Sequence, residues 1–296
     1  MDKKRRKKIV QNTVKLLITG VALYYVFQKV DREELLNSIV QTKIAYYLLA
    51  ILAFNASKIA SAFRVLEFYR AIGIYLSRLF NLKLSYVGMF YNLFLPGSIG
   101  GDGYKVYLLK QGNNQVKTKL LVAATLLDRL SGLAILFLLG GVFFLLSSFD
   151  AALFYLDTIT VIVIAITVPA FYLFIKIFFK SFVSAFWKTT GYSIAVQIGQ
   201  VLTAIALLYA LSVPSDYMDY LALFMVSSVV AVIPFTVGGV GARELVFLYG
   251  FQFLNIEKDK AIAFTLLFFS VTAITALFGL IVSTNLGEAK SKPVQG

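Results

Sequence analysis

Hydrophobic positions in this chain come in long unbroken runs, not in alternation. Runs over about 9–28, 44–69, 119–147, 158–179, 189–212 and 260–285 are each long enough to cross a bilayer as one helix. Two shorter runs, 84–96 and 218–234, stop at a proline and a glycine cluster, and partners follow at 103–112 and 240–254. Residues 31–43 are polar and predict a short surface helix with Leu35, Leu36, Ile39 and Val40 on one face; residues 70–83 form a basic connection. The pattern predicts an all-α polytopic membrane protein. It has about six full transmembrane helices plus two re-entrant broken-helix hairpins.

The two interruptions are copies of one another. Leu95-Pro96-Gly97-Ser98-Ile99-Gly100-Gly101-Asp102-Gly103-Tyr104-Lys105 returns as Ile233-Pro234-Phe235-Thr236-Val237-Gly238-Gly239-Val240-Gly241-Ala242-Arg243. Of these 11 positions four are identical and four conservative, in a chain with only 5 prolines, so chance recurrence is a poor explanation. Broken helices repeated in two halves of a membrane protein point to a transport site between the halves. The halves run over about 44–147 and 158–285, within a single integral membrane domain covering 1–296.

Charge orients the spans. With the N-terminus in the cytoplasm and each motif entering and leaving on one side, 19 cations are assigned to the cytoplasmic side and five to the other. The loops around Asp150–Asp157 and Asp216–Asp219 carry no cation. Three full spans separate the motifs, and an odd number inverts their orientation, giving an inverted-topology repeat. The basic residues 1–8 and the polar tail 286–296 are then both cytoplasmic, in the plasma membrane of a prokaryote. With no small-residue cleavage site after it, the first span reads as a retained helix.

Composition narrows the chemistry. Apolar residues make up 59% of 296 positions and mean hydropathy is +0.81, which excludes a soluble domain. The net charge of +13 clusters at span ends, so it reads as topology and not as a nucleic-acid footprint. The chain has neither cysteine nor histidine. That removes thiol nucleophiles, the usual metal ligands and the commonest general base. The chain therefore reads as not an enzyme, with no metal and no cofactor.

What remains is anion binding. A cation in the first turn of a helix opposes the positive end of the helix dipole, and an anion seated there reverses the balance. Lys105 and Arg243, with the backbones of Gly100, Gly101, Gly238, Gly239 and Gly241, predict two halves of a phosphate site, flanked by Asn92, Pro96, Asp102 and Glu244. Asp128 and Arg129 lie deep in their span, where charge costs about 2.5–3.5 kcal/mol on insertion scales and marks function by default. Lys58, near mid-span, is a further candidate. Arg64 and Glu67, spaced i, i+3, read as an interfacial ion pair. Asn55, Asn92, Gln197 and Gln200 predict hydrogen bonds between helices.

The stretch Asn92-Leu93-Phe94-Leu95-Pro96-Gly97-Ser98-Ile99-Gly100-Gly101-Asp102 with Lys105, together with Asp128-Arg129 and Gly239-Val240-Gly241-Ala242-Arg243-Glu244, resembles a known family. It is the flippase-like transmembrane region of the lysylphosphatidylglycerol synthase family, including its stand-alone members. The resemblance covers nearly the whole chain and implies lipid translocation by the membrane part. In fused members a soluble C-terminal domain performs aminoacyl transfer. This chain ends at Gly296, so aminoacyl-lipid synthesis is not expected of it. Lys105 stands where the family pattern commonly has arginine, which keeps the charge and loses bidentate binding.

The residues and the resemblance together predict a lipid transporter whose partners are membrane lipids with anionic headgroups, phospholipid or polyprenyl phosphate. Two alternatives stay open: an intramembrane transferase on a lipid-linked substrate, and a soluble-anion transporter. A homo-oligomer is equally open.

Overall fold

The computed structural model describes residues 24, 32–94, 100–149, 155–232, 241–254 and 256–282. Among them there is no strand. The helices are α1 (Arg32–Val40), α2 (Ile44–Ala71), α3 (Arg78–Phe94), α4 (Gly100–Gly112), α5 (Thr118–Leu146) and α6 (Tyr155–Phe178). A 3₁₀ turn (Lys180–Ala185) leads into α7 (Phe186–Ala210), followed by α8 (Tyr217–Val232), α9 (Ala242–Gly250) and α10 (Lys258–Ile281).

Five stretches are long and apolar enough to cross a membrane: α2, α5, α6, the 3₁₀ turn with α7, and α10. They coincide with five of the expected spans, and the expected span at 9–28 lies, but for Tyr24, outside the described residues. Their apolar side chains face outward as well as inward. Leu48, Leu49 and Leu52 of α2 and Val161, Ile162 and Ile166 of α6 are all exposed, which suits a hydrocarbon surround. The protein is a polytopic α-helical membrane protein.

Boundaries shift in two informative places. The Gly100-Gly101-Asp102-Gly103 run is helical from Gly100, where a flexible turn was expected. Asp102 falls in the first turn, where a carboxylate suits the dipole. A side chain on Gly101 would collide with the backbone of Gly88, so glycine is needed for the α3–α4 crossing. Lys105 consequently sits in the second turn of α4 instead of the first. The face expected for α1 also splits. Leu35 is buried and Ile39 packs on the core, whereas Leu36 and Val40 point away.

The helices recur in order. Helices α2-α3-α4-α5 are followed, beyond α6, by α7-α8-α9-α10 with the same alternation of long, short, short and long. Neighbours recur too. Helix α2 packs along α7, α3 packs on α10 as α5 packs on α8, and the pairs α3–α4 and α8–α9 both close. At the α2–α7 crossing a side chain on Gly199 would meet Ser57 Cβ at 2.7 Å, the small-residue contact by which membrane helices approach.

Two apolar cores result. One gathers Phe54, Phe224, Phe247, Phe264 and Phe268; the other gathers Phe68, Phe80, Phe182 and Phe186. Helix α2 runs through both, and its segment between them carries Ser57, Lys58, Ser61 and Arg64. The polar cavity lies at that level.

Candidate functional site

The polar segment of α2 faces α3, α4 and α5 across a cavity of about 160 Å³. Lys58 and Ser61 line it from α2, Ser85 and Asn92 from α3, Asp102 and Lys105 from α4, and Asp128 and Arg129 from α5. A second cavity of about 340 Å³ adjoins it and shares Lys58, Met89, Asn92 and Arg129. Its far wall is Ser228 and Val232 of α8, Arg243 of α9, and Thr272 and Ala276 of α10. The structure thus brings residues of the α3–α4 pair and of the α8–α9 pair to two adjoining cavities.

Asp102 anchors the first unit. Its Oδ2 accepts from Arg129 Nε at 2.6 Å and lies 2.5 Å from Nη2, and its Oδ1 stands 3.8 Å from Lys105 Nζ. Asn92 Oδ1 accepts from the Gly101 backbone N–H at 2.9 Å, so α3 caps an amide at the start of α4. Gly88 adds a second constraint. A side chain there would strike the Lys105 stem, so this glycine, absent from the motif, lets the lysine pass.

Arg64 does not pair with Glu67, contrary to the i, i+3 reading. Its Nε donates to Asp128 Oδ1 at 2.7 Å and its Nη1 to Ser193 Oγ at 3.2 Å. A side chain on Gly132 would meet Arg64 Nη1 at 2.9 Å, so the α5 surface is notched to receive the guanidinium. Glu67 faces Arg70 at 2.5 Å and Lys188 at 3.8 Å, away from the cavity. The reason is tertiary: packing of α5 and α7 against α2 sets the Asp128 carboxylate and the Ser193 hydroxyl within reach of Arg64, while Glu67 meets two other cations, Arg70 and Lys188.

Arg243 is held differently. Its Nη1 donates to Ser227 Oγ at 3.1 Å and Ser228 Oγ at 3.0 Å, and its guanidinium lies 4.9 Å from the Phe268 ring centre and 5.6 Å from that of Phe224. The aromatic faces and hydroxyls hold the cation without neutralising it. Lys58 Nζ likewise lies 4.4 Å from the Phe54 ring centre. Among the described residues neither Lys58 nor Arg243 forms an ion pair with a carboxylate. Glu244 is buried, and its Oε2 accepts from the Gly241 N–H at 2.6 Å. Gly241 has φ +84°, a left-handed conformation that favours glycine at the start of α9. Glu244 thereby shapes the turn and is not among the residues lining either cavity.

The lining of the two cavities counts four cations, Lys58, Lys105, Arg129 and Arg243, against two carboxylates, Asp102 and Asp128. Asp128 is further matched by Arg64. The excess positive charge suits an anion. The polar helix contacts follow expectation at Asn55, which donates to Thr275 Oγ1 at 3.2 Å and accepts from Tyr86 at 2.9 Å. Gln197 Nε2 donates to Gly132 O at 3.0 Å. Pro96, Gly238 and Gly239 lie outside the described residues. Sequence reasoning missed Ser61, Ser85, Ser227, Ser228, Gly88 and Gly132, whose only signal is a small or hydroxyl residue on an apolar helix.

Curated relatives align in sequence with most of this chain. Phosphatidylglycerol lysyltransferase of Staphylococcus aureus strain COL is 26% identical over 302 aligned positions, covering 98% of this chain and 35% of the relative. The protein of the same name from strain MSSA476 is 28% identical over 228 positions, covering 73% of this chain and 26% of the relative. The chain thus spans about a third of the length of the curated relatives it matches. These relatives correct the reading of the chain as not an enzyme, since they carry the name of a transferase. The missing histidine and cysteine limit which side chains of this chain could do chemistry; they say nothing of the enzyme a membrane region serves. The model of the lysylphosphatidylglycerol synthase TM region matches residues 12–279, and the chain belongs to that family.

Proposed function

We propose that the chain binds the phosphate of an anionic membrane lipid in the adjoining cavities and carries the headgroup between leaflets. The observation behind this reading is the meeting of both broken-helix units at these two cavities, where cations outnumber carboxylates. Lys105 and Arg243 bind the phosphate from opposite walls and Lys58 contributes from between them. The Asp102–Arg129 and Asp128–Arg64 pairs hold the walls in register. The name of the relatives makes phosphatidylglycerol the first lipid to test.

The recurrence of α2–α5 as α7–α10 supports an inverted-topology repeat, with units over 44–146 and 186–281 joined by α6. The α3–α4 and α8–α9 pairs are then re-entrant hairpins from opposite faces, both termini are cytoplasmic, and rocking of one unit against the other alternates access. The membrane is the plasma membrane of a bacterium.

A transferase reading is favoured by the relatives' name alone. The same cavity would hold the phosphatidylglycerol acceptor for modification. One experiment separates the readings. Purified protein is reconstituted into vesicles carrying tail-labelled fluorescent phosphatidylglycerol, phosphatidylcholine or a polyprenyl phosphate, and inner-leaflet label is read by access to a membrane-impermeant quencher. Protein-dependent movement of anionic lipid with unchanged lipid mass supports transport. Folded protein that moves none of the panel overturns it.

A further inference from the structure

Beside the polar cavity lies a third space of about 390 Å³ with a different lining. Its walls are Val106 of α4, Val122 and Leu126 of α5, and Val232 at the end of α8. Its inner end is the Asp102–Arg129 pair. Arg129 lines all three spaces, and Val232 lines both this groove and the Arg243 cavity. On its outer side Val122 and Leu126 are 51% and 44% exposed, on a span with mean hydropathy of 2.2 over its most apolar window. The groove therefore runs from an apolar outer surface to a polar, cation-rich interior, and passes between the two broken-helix units.

An amphiphile matches that gradient. A soluble anion would need no apolar channel, and an uncharged hydrocarbon would find no partner at Arg129. We propose that this groove seats an acyl or prenyl chain of the anionic lipid while its phosphate occupies the polar cavities, so that the lipid enters sideways between α4, α5 and the end of α8. This rests on the phosphate reading above and adds where the tail goes. Gly103 is the natural point of control. It lines the groove, is exposed, and a side chain built on it meets nothing within 4 Å. The first carbon of a side chain there meets open space, so a phenylalanine is a bulky probe placed at the groove.

The test uses the absence of native thiols. Leu126→Cys carries a bimane fluorophore, and Ile166→Cys on the outward face of α6 is the control. Each is reconstituted in phosphatidylcholine vesicles doped with phosphatidylglycerol or phosphatidylcholine brominated on the acyl chain. The groove predicts at least twofold stronger quenching at position 126 by the brominated anionic lipid, none of that preference at position 166, and its loss in Gly103→Phe. Gly103→Ala retains it. Translocation of phosphatidylglycerol falls at least tenfold in Gly103→Phe. Equal quenching by both lipids at position 126, with translocation intact in folded Gly103→Phe, overturns the groove and leaves the phosphate reading standing. No translocation and no preference in the otherwise unaltered protein overturns both.

Discussion

Arg64 and Asp128 hold each other at 2.7 Å with side chains only 7% and 16% exposed. Removing one partner from such a pair leaves the other charge without compensation. Arg64→Leu is expected to destabilise the protein by about 3 kcal/mol, and Arg64→Leu with Asp128→Leu by markedly less. Thermal unfolding in detergent micelles measures both; equal melting temperatures for the single and double variants would show that the pair does not act as a unit. Arg243 differs, because two serine hydroxyls and two rings hold it without a carboxylate. Arg243→Ala is expected to weaken binding of phosphatidylglycerol about tenfold, about 1.4 kcal/mol, while leaving the melting temperature nearly unchanged. Native mass spectrometry across a lipid titration reads the first and unfolding the second. At this scale the residue types of the site were legible, since charges in apolar runs stand out. Their partners were not: Arg64 pairs 64 positions away, and a spacing rule for one helix cannot see a second helix.

At the scale of elements, the α3–α4 crossing rests on glycine meeting glycine. The Gly101→Ala methyl would overlap the Gly88 backbone, so the helices must separate and carry Lys105 and Asp102 with them. The expected cost is about 1–3 kcal/mol in stability, with loss of lipid binding, whereas Gly103→Ala, facing open space, is tolerated. Comparing the two by melting temperature and lipid titration checks the claim; indifference to Gly101→Ala would remove the crossing from the account. Span positions were readable to within a few residues because twenty apolar residues have few other uses. The start of α4 was misplaced by three residues because consecutive glycines read as a turn, and only contact with α3 shows why they are helical.

For the whole molecule, the proposed inverted repeat makes a prediction about sides. Asn114, exposed between α4 and α5, and Gln252, exposed between α9 and α10, occupy corresponding places in the two units. Inversion puts them on opposite faces. Single cysteines at each position should react with an impermeant thiol reagent in spheroplasts only at 252, and at both after lysis. Labelling of both in intact spheroplasts would end the inverted arrangement.

Length and hydrophobic pattern by themselves determined the class of this protein and five of its spans, and displayed the duplicated Pro-Gly interruption, because a bilayer permits so few backbone solutions. The motif residues also sufficed to point to the family. Tertiary structure alone decided that Lys58, Lys105, Arg129 and Arg243 line two adjoining cavities, that Glu67 and Glu244 face elsewhere, and that an apolar groove reaches Arg129 from outside. Those outcomes depend on which helices touch and at what angle. Small residues such as Gly88, Gly132 and Gly199 control that contact, and in one dimension they look like any other glycine.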